Sequence, residues 1–218
     1  EIAAFEKVLN DPQRPLAALV GGAKISSKIG VLRNLLEEVD MLLLGGGMAN
    51  TFLAANGLDM QASLVESGHL ADAGEIQKMA RETGCEIVLP TDGVMASGVV
   101  AGAEIAVRAV DRVPEGWTML DIGPETERLF HDRLRLARTI VWNGPMGMFE
   151  NPRFARGTQQ VARSVAASGA FSMIGGGDSV AAVKLLGIES EFGHISTGGG
   201  ASLEMLEGKT LPGISALG

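Results

Sequence analysis

The sequence predicts an α/β fold: a single doubly wound, Rossmann-like parallel sheet in a three-layer α/β/α arrangement. Two observations carry this. Short, almost wholly apolar runs alternate with stretches of helical spacing, the pattern of strands buried on both faces and covered by helices. Six of those runs end in a glycine turn: LAALVGGAK (16–24), MLLLGGGMA (41–49), MLDIGPE (119–125), IVWNGPMG (140–147), FSMIGGGDS (171–179) and HISTGGGAS (194–202). A glycine turn before a helix leaves backbone N–H groups open to a ligand, and the helix dipole there favours an anion. Ligands in doubly wound folds bind beyond the carboxyl ends of the strands, where all six turns are expected to lie.

The elements follow in order. Ile2, Phe5, Val8 and Leu9 have helical spacing, giving a helix over 1–10 that Asp11-Pro12 ends. Leu16–Val20 is a fully apolar strand. Ser26 or Ser27 is placed to cap a helix running to Val39, with Ile29, Leu32 and Leu36 on one face. Met41–Leu44 is a strand, and Met48–Ala55 a helix closed by Gly57. Residues 64–83 read as a long helix and Glu86–Leu89 as a strand. Residues 93–110 alternate small and β-branched side chains and read as extended or hairpin structure. Trp117–Ile122 is a strand, and Pro124 suits the first turn of a helix to Leu136. Then come a strand at Thr139–Trp142, a helix at Pro152–Ala167, a strand at Phe171–Ile174 and a helix at Asp178–Leu186. A strand at Phe192–Ser196 and a helix at Ala201–Leu206 complete the pattern.

Composition narrows the function. No linker, charge run or low-complexity segment divides the 218 residues. A formal net charge of −8 argues against a broad basic face for nucleic acid. A polyanionic ligand would be held by local donors, a few lysines and a divalent cation. The ten methionines are read as core filling, since Tyr is absent and aromatics are few. Cys85, the single cysteine, excludes an internal disulfide, fits a reducing cytoplasm and is read as a buried apolar residue. No apolar run approaches the length of a membrane span. The opening EIAAFEKVLND lacks the features of a signal peptide and also lacks Met, so the chain reads as a fragment or a processed product.

Familiar phosphate motifs are absent. There is no G-x-x-x-x-G-K-[ST], no G-x-G-x-x-G and no protein-kinase signature. The candidates lie in the glycine turns themselves. Lys24 and Lys28 are four apart after Gly21-Gly22, on one expected helix face, where two ammonium groups oppose the dipole unless an anion sits between them. Asp178 follows three glycines; it can cap the helix and can hold Mg²⁺, which prefers one or two carboxylates with phosphate oxygens. Residues 197–200 open another helix with free N–H groups suited to a transferring phosphoryl group. Residues 143–150 offer apolar side chains for a base and a carboxylate for ribose hydroxyls. His69, His131 and His194 share no metal spacing, and His194 is read within the last strand. Arg128, Arg133, Arg135 and Arg138 read as a solvated face.

The stretches VGGAKISSKI, LGGGMANTFL, WNGPMGMFE, IGGGDSVAAV and STGGGASLEMLEGKTLPG resemble, in order and spacing, the signature turns of phosphoglycerate kinases. The resemblance spans essentially the whole chain, but only the C-terminal, nucleotide-binding half of that two-domain family. It implies a nucleotide-binding domain over 13–218, an interdomain-type helix over 1–12 and a phosphoglycerate-binding N-terminal domain that this chain lacks. The implied activity is reversible phosphoryl transfer between 1,3-bisphosphoglycerate and ADP, giving 3-phosphoglycerate and ATP, by a cytoplasmic enzyme that is monomeric at full length. Mg²⁺ with ADP or ATP is the implied substrate, and the isolated chain is expected to bind it but transfer poorly.

By the same resemblance Lys24, Gly177, Gly199 and Gly200 match positions at the transferring phosphoryl group. Gly22, Ala23 and Lys28, with Gly176, Gly177, Asp178 and Ser179, match the phosphate contacts, Asp178 standing at the Mg²⁺ position. Asn143 and Pro145 match residues beside the nucleotide, and Glu150 the ribose carboxylate. Gly45, Gly46, Met119, Leu120 and Met148 match the adenine pocket. Met119 stands where many members have Gly, and Ser179 where many have Thr. Two other classes stay open: a non-catalytic nucleotide-binding module, and an NAD-dependent oxidoreductase domain, against which the missing G-x-G-x-x-G speaks.

Overall fold

Strands that are apolar along their whole length need cover on both faces. The computed structural model describes residue 8 and residues 12–196. Their order is β1 (Leu16–Val20), α1 (Ile29–Glu38), β2 (Met41–Leu44), α2 (Gly46–Ala55), α3 (Leu70–Thr83), β3 (Glu86–Val88), β4 (Asp92–Ala96), β5 (Ile105–Ala109), β6 (Thr118–Ile122), α4 (Pro124–Leu134), β7 (Thr139–Asn143), α5 (Arg156–Ala167), β8 (Phe171–Gly175), α6 (Gly177–Leu186) and β9 (His194–Ile195). Six strands form one sheet in the order β3-β2-β1-β7-β8-β9, and every pairing in it is parallel. β1, β2 and β7 are buried at every position. Alternate β1 residues serve opposite layers. Leu16, Ala18 and Val20 share a core with Leu32 of α1, Phe52 of α2 and Ile76 of α3. Ala17 and Leu19 share the other with Phe130 of α4, Val161 of α5 and Val183 of α6. The three-layer doubly wound fold is therefore present.

Three local readings change. β6 leaves the parallel sheet: it pairs antiparallel with β4, as β5 does, in a separate three-stranded sheet of order β5-β4-β6. The hairpin expected over 93–110 is β4 and β5. β6 is only partly buried: Thr118 and Leu120 are half-exposed and alternate with buried Met119 and Asp121, a pattern suited to an antiparallel strand with one wetter face. Neither Ser26 nor Ser27 caps α1. Ser26 instead gives its Oγ–H and N–H to the two carboxylate oxygens of Glu66 (2.6 and 3.0 Å), Ser27 gives its Oγ–H to Lys24 O, and Lys28 stands uncapped before the helix. Glu66 is thereby held out of the long helix expected over 64–83, which begins only at Leu70 after a short 3₁₀ turn at Ser67–His69. The helices expected at 1–10 and 201–206 lie outside the described residues, apart from Val8.

The loops at the carboxyl edge mesh backbone to backbone. β1 and β7 are neighbours whose following loops diverge, the switch point of the sheet. Across it Gly21 N–H donates to Asn143 O (2.9 Å), Gly22 N–H to Pro145 O (3.0 Å), Gly46 N–H to Met146 O (2.9 Å) and Met48 N–H to Gly22 O (3.0 Å). A Cβ on Gly21 would penetrate the Pro145 carbonyl, and one on Gly46 would lie 2.5 Å from Gly22 O. Gly46 also needs its positive φ of 70°. Trp142 is fully buried beneath, with its indole N–H donating to Gly144 O at 2.7 Å.

Two buried carboxylates tie the small sheet to the helices. Asp92 accepts from Glu125 N–H, Thr126 N–H and the Thr126 hydroxyl, so a strand residue caps α4. Its carboxylate fills the place where a side chain on Gly123 would stand. Asp121 accepts from Ile122 N–H (2.9 Å) and from Gly157 N–H (2.7 Å) in the first turn of α5. Burial pushes its pKa from 3.8 up to about 7; Glu127 adds to the rise, while the two N–H groups and Arg156 oppose it.

Gly21→Ala is expected to destabilise by about 3 kcal/mol, because the clash is with backbone. Gly74→Ala, inside α3 with open space around it, is expected to stabilise by about 0.5–1 kcal/mol; urea midpoints compare the two. Native Asp121 keeps a proton that the unfolded chain releases near pH 4. Stability should therefore fall as pH rises from about 4 to about 7, by on the order of 4 kcal/mol from this group. Asp121→Asn should remove that slope from a plot of melting temperature against pH.

Candidate functional site

The meshed loops after β1, β2 and β7, with β6 and the start of α6, enclose a cleft of about 390 Å³. Its apolar walls are Leu64, Met119, Leu120, Met146 and Met148. Met148 is 41% exposed at the mouth, while its N–H is fixed to Leu120 O at 2.8 Å. Gly22, Ala23, Gly46 and Pro145 present backbone to the cleft, and the carboxylates of Glu150 and Asp178 lie exposed on it. Among the expected site residues, Gly45 is set back under Met146, where a Cβ would lie 2.5 Å from its sulfur.

Beside the cleft, next to Asp178, stand Lys28, Asn143 and the N-terminus of α6. The Lys28 ammonium donates to Asn143 Oδ1 at 2.8 Å and lies 3.8 Å and 3.0 Å from where Cβ atoms on Gly22 and Gly144 would stand. Burial lowers its pKa from 10.5 to about 8, partly offset by the negative charge of Asp178. Asn143 Nδ2 is buried without a partner. Gly176, at φ 87°, turns the chain into α6, and a Cβ on it would lie 3.1 Å from Asn143 Nδ2. Asp178 stands in the first turn of α6 and makes no capping hydrogen bond. The leading N–H groups of a helix have no partner within it. A side chain on Gly177 would meet nothing within 4 Å. Packing therefore explains Gly21, Gly45 and Gly46, but not Gly177.

Ser179 is fully buried, and its Oγ accepts from Gly144 N–H at 2.6 Å, so it holds the β7 loop. Lys24 and Lys28 do not share a helix face. Residues 24–28 form a turn ahead of α1, because Ser26 is held by Glu66 and the loop is meshed with that after β7. Lys24 is exposed and does not line the cleft. Gly199 and Gly200 lie outside the described residues. Asn50, Leu64, Thr118 and Asp121 also line the cleft, the last three with no signal of their own in the sequence. Leu64 arrives on the irregular segment before α3. Asn50, a polar residue in the apolar run MANTFLAA, was the one legible hint.

Other candidates stay structural. Burial, with Asp40 and Glu86 nearby, pushes the Cys85 thiol up to about 12, which makes it a poor nucleophile. His69 pairs with Asp72 at 2.8 Å, and His131 meets Ser164 at 3.2 Å. Arg133 pairs with Glu86 at 2.9 Å. Among the described residues no group of three or more His, Cys, Asp or Glu side chains can hold a metal, and no helix is long and apolar enough to cross a membrane.

Known proteins share this fold. The family model described as phosphoglycerate kinase matches residues 1–209. A phosphoglycerate kinase of Herpetosiphon aurantiacus is 54% identical over 217 residues, and one of Moorella thermoacetica 55% identical over 217; each match takes in 100% of this chain and 55% of the relative. The solved phosphoglycerate kinase of Coxiella burnetii superposes with a TM-score of 0.95 at 42% identity, covering 99% of this chain and 56% of that one. The enzyme of Pyrococcus horikoshii gives 0.85 at 33% identity, covering 99% and 55%. The chain thus spans about half the length of the curated relatives it matches, and it belongs to the phosphoglycerate kinase family.

Proposed function

We propose that this chain is the nucleotide-binding half of a phosphoglycerate kinase. In this reading it binds ADP or ATP with Mg²⁺, and the whole protein transfers a phosphoryl group reversibly between 1,3-bisphosphoglycerate and ADP. The observation that carries the reading is the polar group beside the cleft. An open helix N-terminus and a half-buried lysine stand next to Asp178, which itself lines an apolar slot. That is a place for phosphates beside a place for a flat base.

Each group then has a task. The α6 N-terminus and Lys28 hold phosphate oxygens, and Asn143 Nδ2 donates to the same anion. Lys28 gains most from this, since a bound phosphate restores the solvation that burial removed. Met119, Leu120 and Met148 enclose the base, with Gly45 and Gly46 behind, and Glu150 accepts from ribose hydroxyls. Asp178 fits the coordination Mg²⁺ prefers, one carboxylate with phosphate oxygens. The cation supplies charge neutralisation when it arrives with the nucleotide. Ser179 acts through the β7 loop. Lys24, Gly199 and Gly200 take their role at the transferring group from the family resemblance alone. Phosphoglycerate binds to a domain outside residues 13–218, and closure of the two halves excludes water. The isolated chain accordingly binds nucleotide and turns over poorly, in a protein that is monomeric and cytoplasmic when whole. Family membership weighs against NAD-linked oxidation.

Calorimetric titration of the chain with ADP and Mg²⁺ should show one site and no comparable heat with NAD; absence of ADP binding overturns the reading. Affinity should fall as pH rises above about 8 and Lys28 loses its proton. Lys28→Met should weaken ADP by about 10-fold or more and remove that pH dependence. Gly177→Ala should leave the melting temperature unchanged or slightly raised, yet weaken ADP, because its methyl group occupies space that only a ligand uses.

A further inference from the structure

The cleft contains one buried side chain whose hydrogen-bonding capacity is unspent. Asn50 lies on α2, one turn beyond Gly46 and Gly47, and all three line the cleft. It is 1% exposed, and its Oδ1 is buried without a partner. The other polar side chains of the lining are accounted for. Thr118 Oγ–H donates to Ala62 O (3.2 Å), and Asp121 accepts from Ile122 and Gly157 N–H. Glu150 and Asp178 are exposed carboxylates and accept from solvent.

An orphaned buried acceptor is costly in the free protein, and the cost is recovered when a ligand donates to it. The group that can do so here must be flat and largely apolar, since the surrounding walls are Leu64, Met119, Leu120 and Met148. It must also carry an N–H at its edge. A phosphate has no such donor, and the anion-binding groups are Lys28 and the start of α6, not Asn50. The exocyclic amine of adenine meets all of these requirements, and a carboxamide is its natural complement.

We propose that Asn50 is a specificity-determining residue of the cleft, its Oδ1 accepting a hydrogen bond from the 6-amine of the purine base. This deepens the nucleotide reading above and rests on it. Because the acceptor is unpaired without ligand, Asn50 lowers the stability of the free protein and returns that energy as base selectivity. A residue held for structure alone would do the reverse.

The test compares ADP with purine riboside 5′-diphosphate, the same nucleotide without the 6-amine, by calorimetry on the 218-residue chain. The wild-type chain should prefer ADP by on the order of 10-fold. Asn50→Leu, of similar size and apolar, should bind the two ligands equally and melt at the same or a higher temperature. Asn50→Ala should also lose the preference, which covers the case in which Leu is not accommodated. Equal binding by the wild type, or an undiminished preference in the variants, overturns the role of Asn50 and leaves nucleotide binding standing. If the wild type binds neither ligand, the nucleotide reading fails and this inference falls with it.

Discussion

The structure depends on the meshing of three backbone loops at the carboxyl edge of the sheet. Residues 21–22, 45–48 and 143–146 exchange hydrogen bonds of 2.9–3.0 Å across the switch point between β1 and β7. Backbone can approach backbone this closely only where Cβ atoms are missing, and additions at Gly21, Gly45 and Gly46 all collide with the facing loop. The result is a preformed rim. The walls of the cleft and the Lys28–Asn143 pair are placed before any ligand arrives, so little conformational freedom is left to be lost on binding.

Buried polar groups fall into two sets around that rim. Asp92, Asp121 and Ser179 each accept from N–H or hydroxyl donors, and each fastens one element to another: β4 to α4, β6 to α5, α6 to the β7 loop. Asn143 Nδ2 and Asn50 Oδ1 are unsatisfied, and both belong to the neighbourhood of the cleft. The two sets act differently. The first links the elements of the scaffold; the second leaves hydrogen-bonding capacity unmet in the free state and favours a partner that completes it. Lys28 stands between, with one hydrogen bond and a desolvated charge partly matched by Asp178.

Much of this was legible in the chain because it is local. Apolar runs of four or five residues marked β1, β2, β7 and β8, and glycine turns marked their carboxyl ends. Residues brought to the cleft by those turns, such as Gly22, Pro145, Glu150 and Asp178, could be named in advance. What misled was also local reasoning. Ser26 has every property of a helix cap, yet a carboxylate forty positions away takes its hydroxyl. MLDIGPE resembles the other strand-turns, but Gly123 is glycine because the Asp92 carboxylate fills its side-chain space. A glycine that meshes with a loop and one that admits a ligand look alike in a sequence.

The sequence by itself determined the parallel sheet, its covering helices, the family and the edge at which a ligand meets the protein. Periodicity and turn chemistry are properties of neighbouring residues, and they survive being read one segment at a time. Only the tertiary structure decided which glycines are packed and which are open, where β6 pairs, and that Asn50, Leu64, Thr118 and Asp121 belong to the cleft. Those outcomes depend on contacts between segments far apart in the chain, where a carbonyl, a carboxylate or a sulfur atom either occupies the space beside a Cα or leaves it empty.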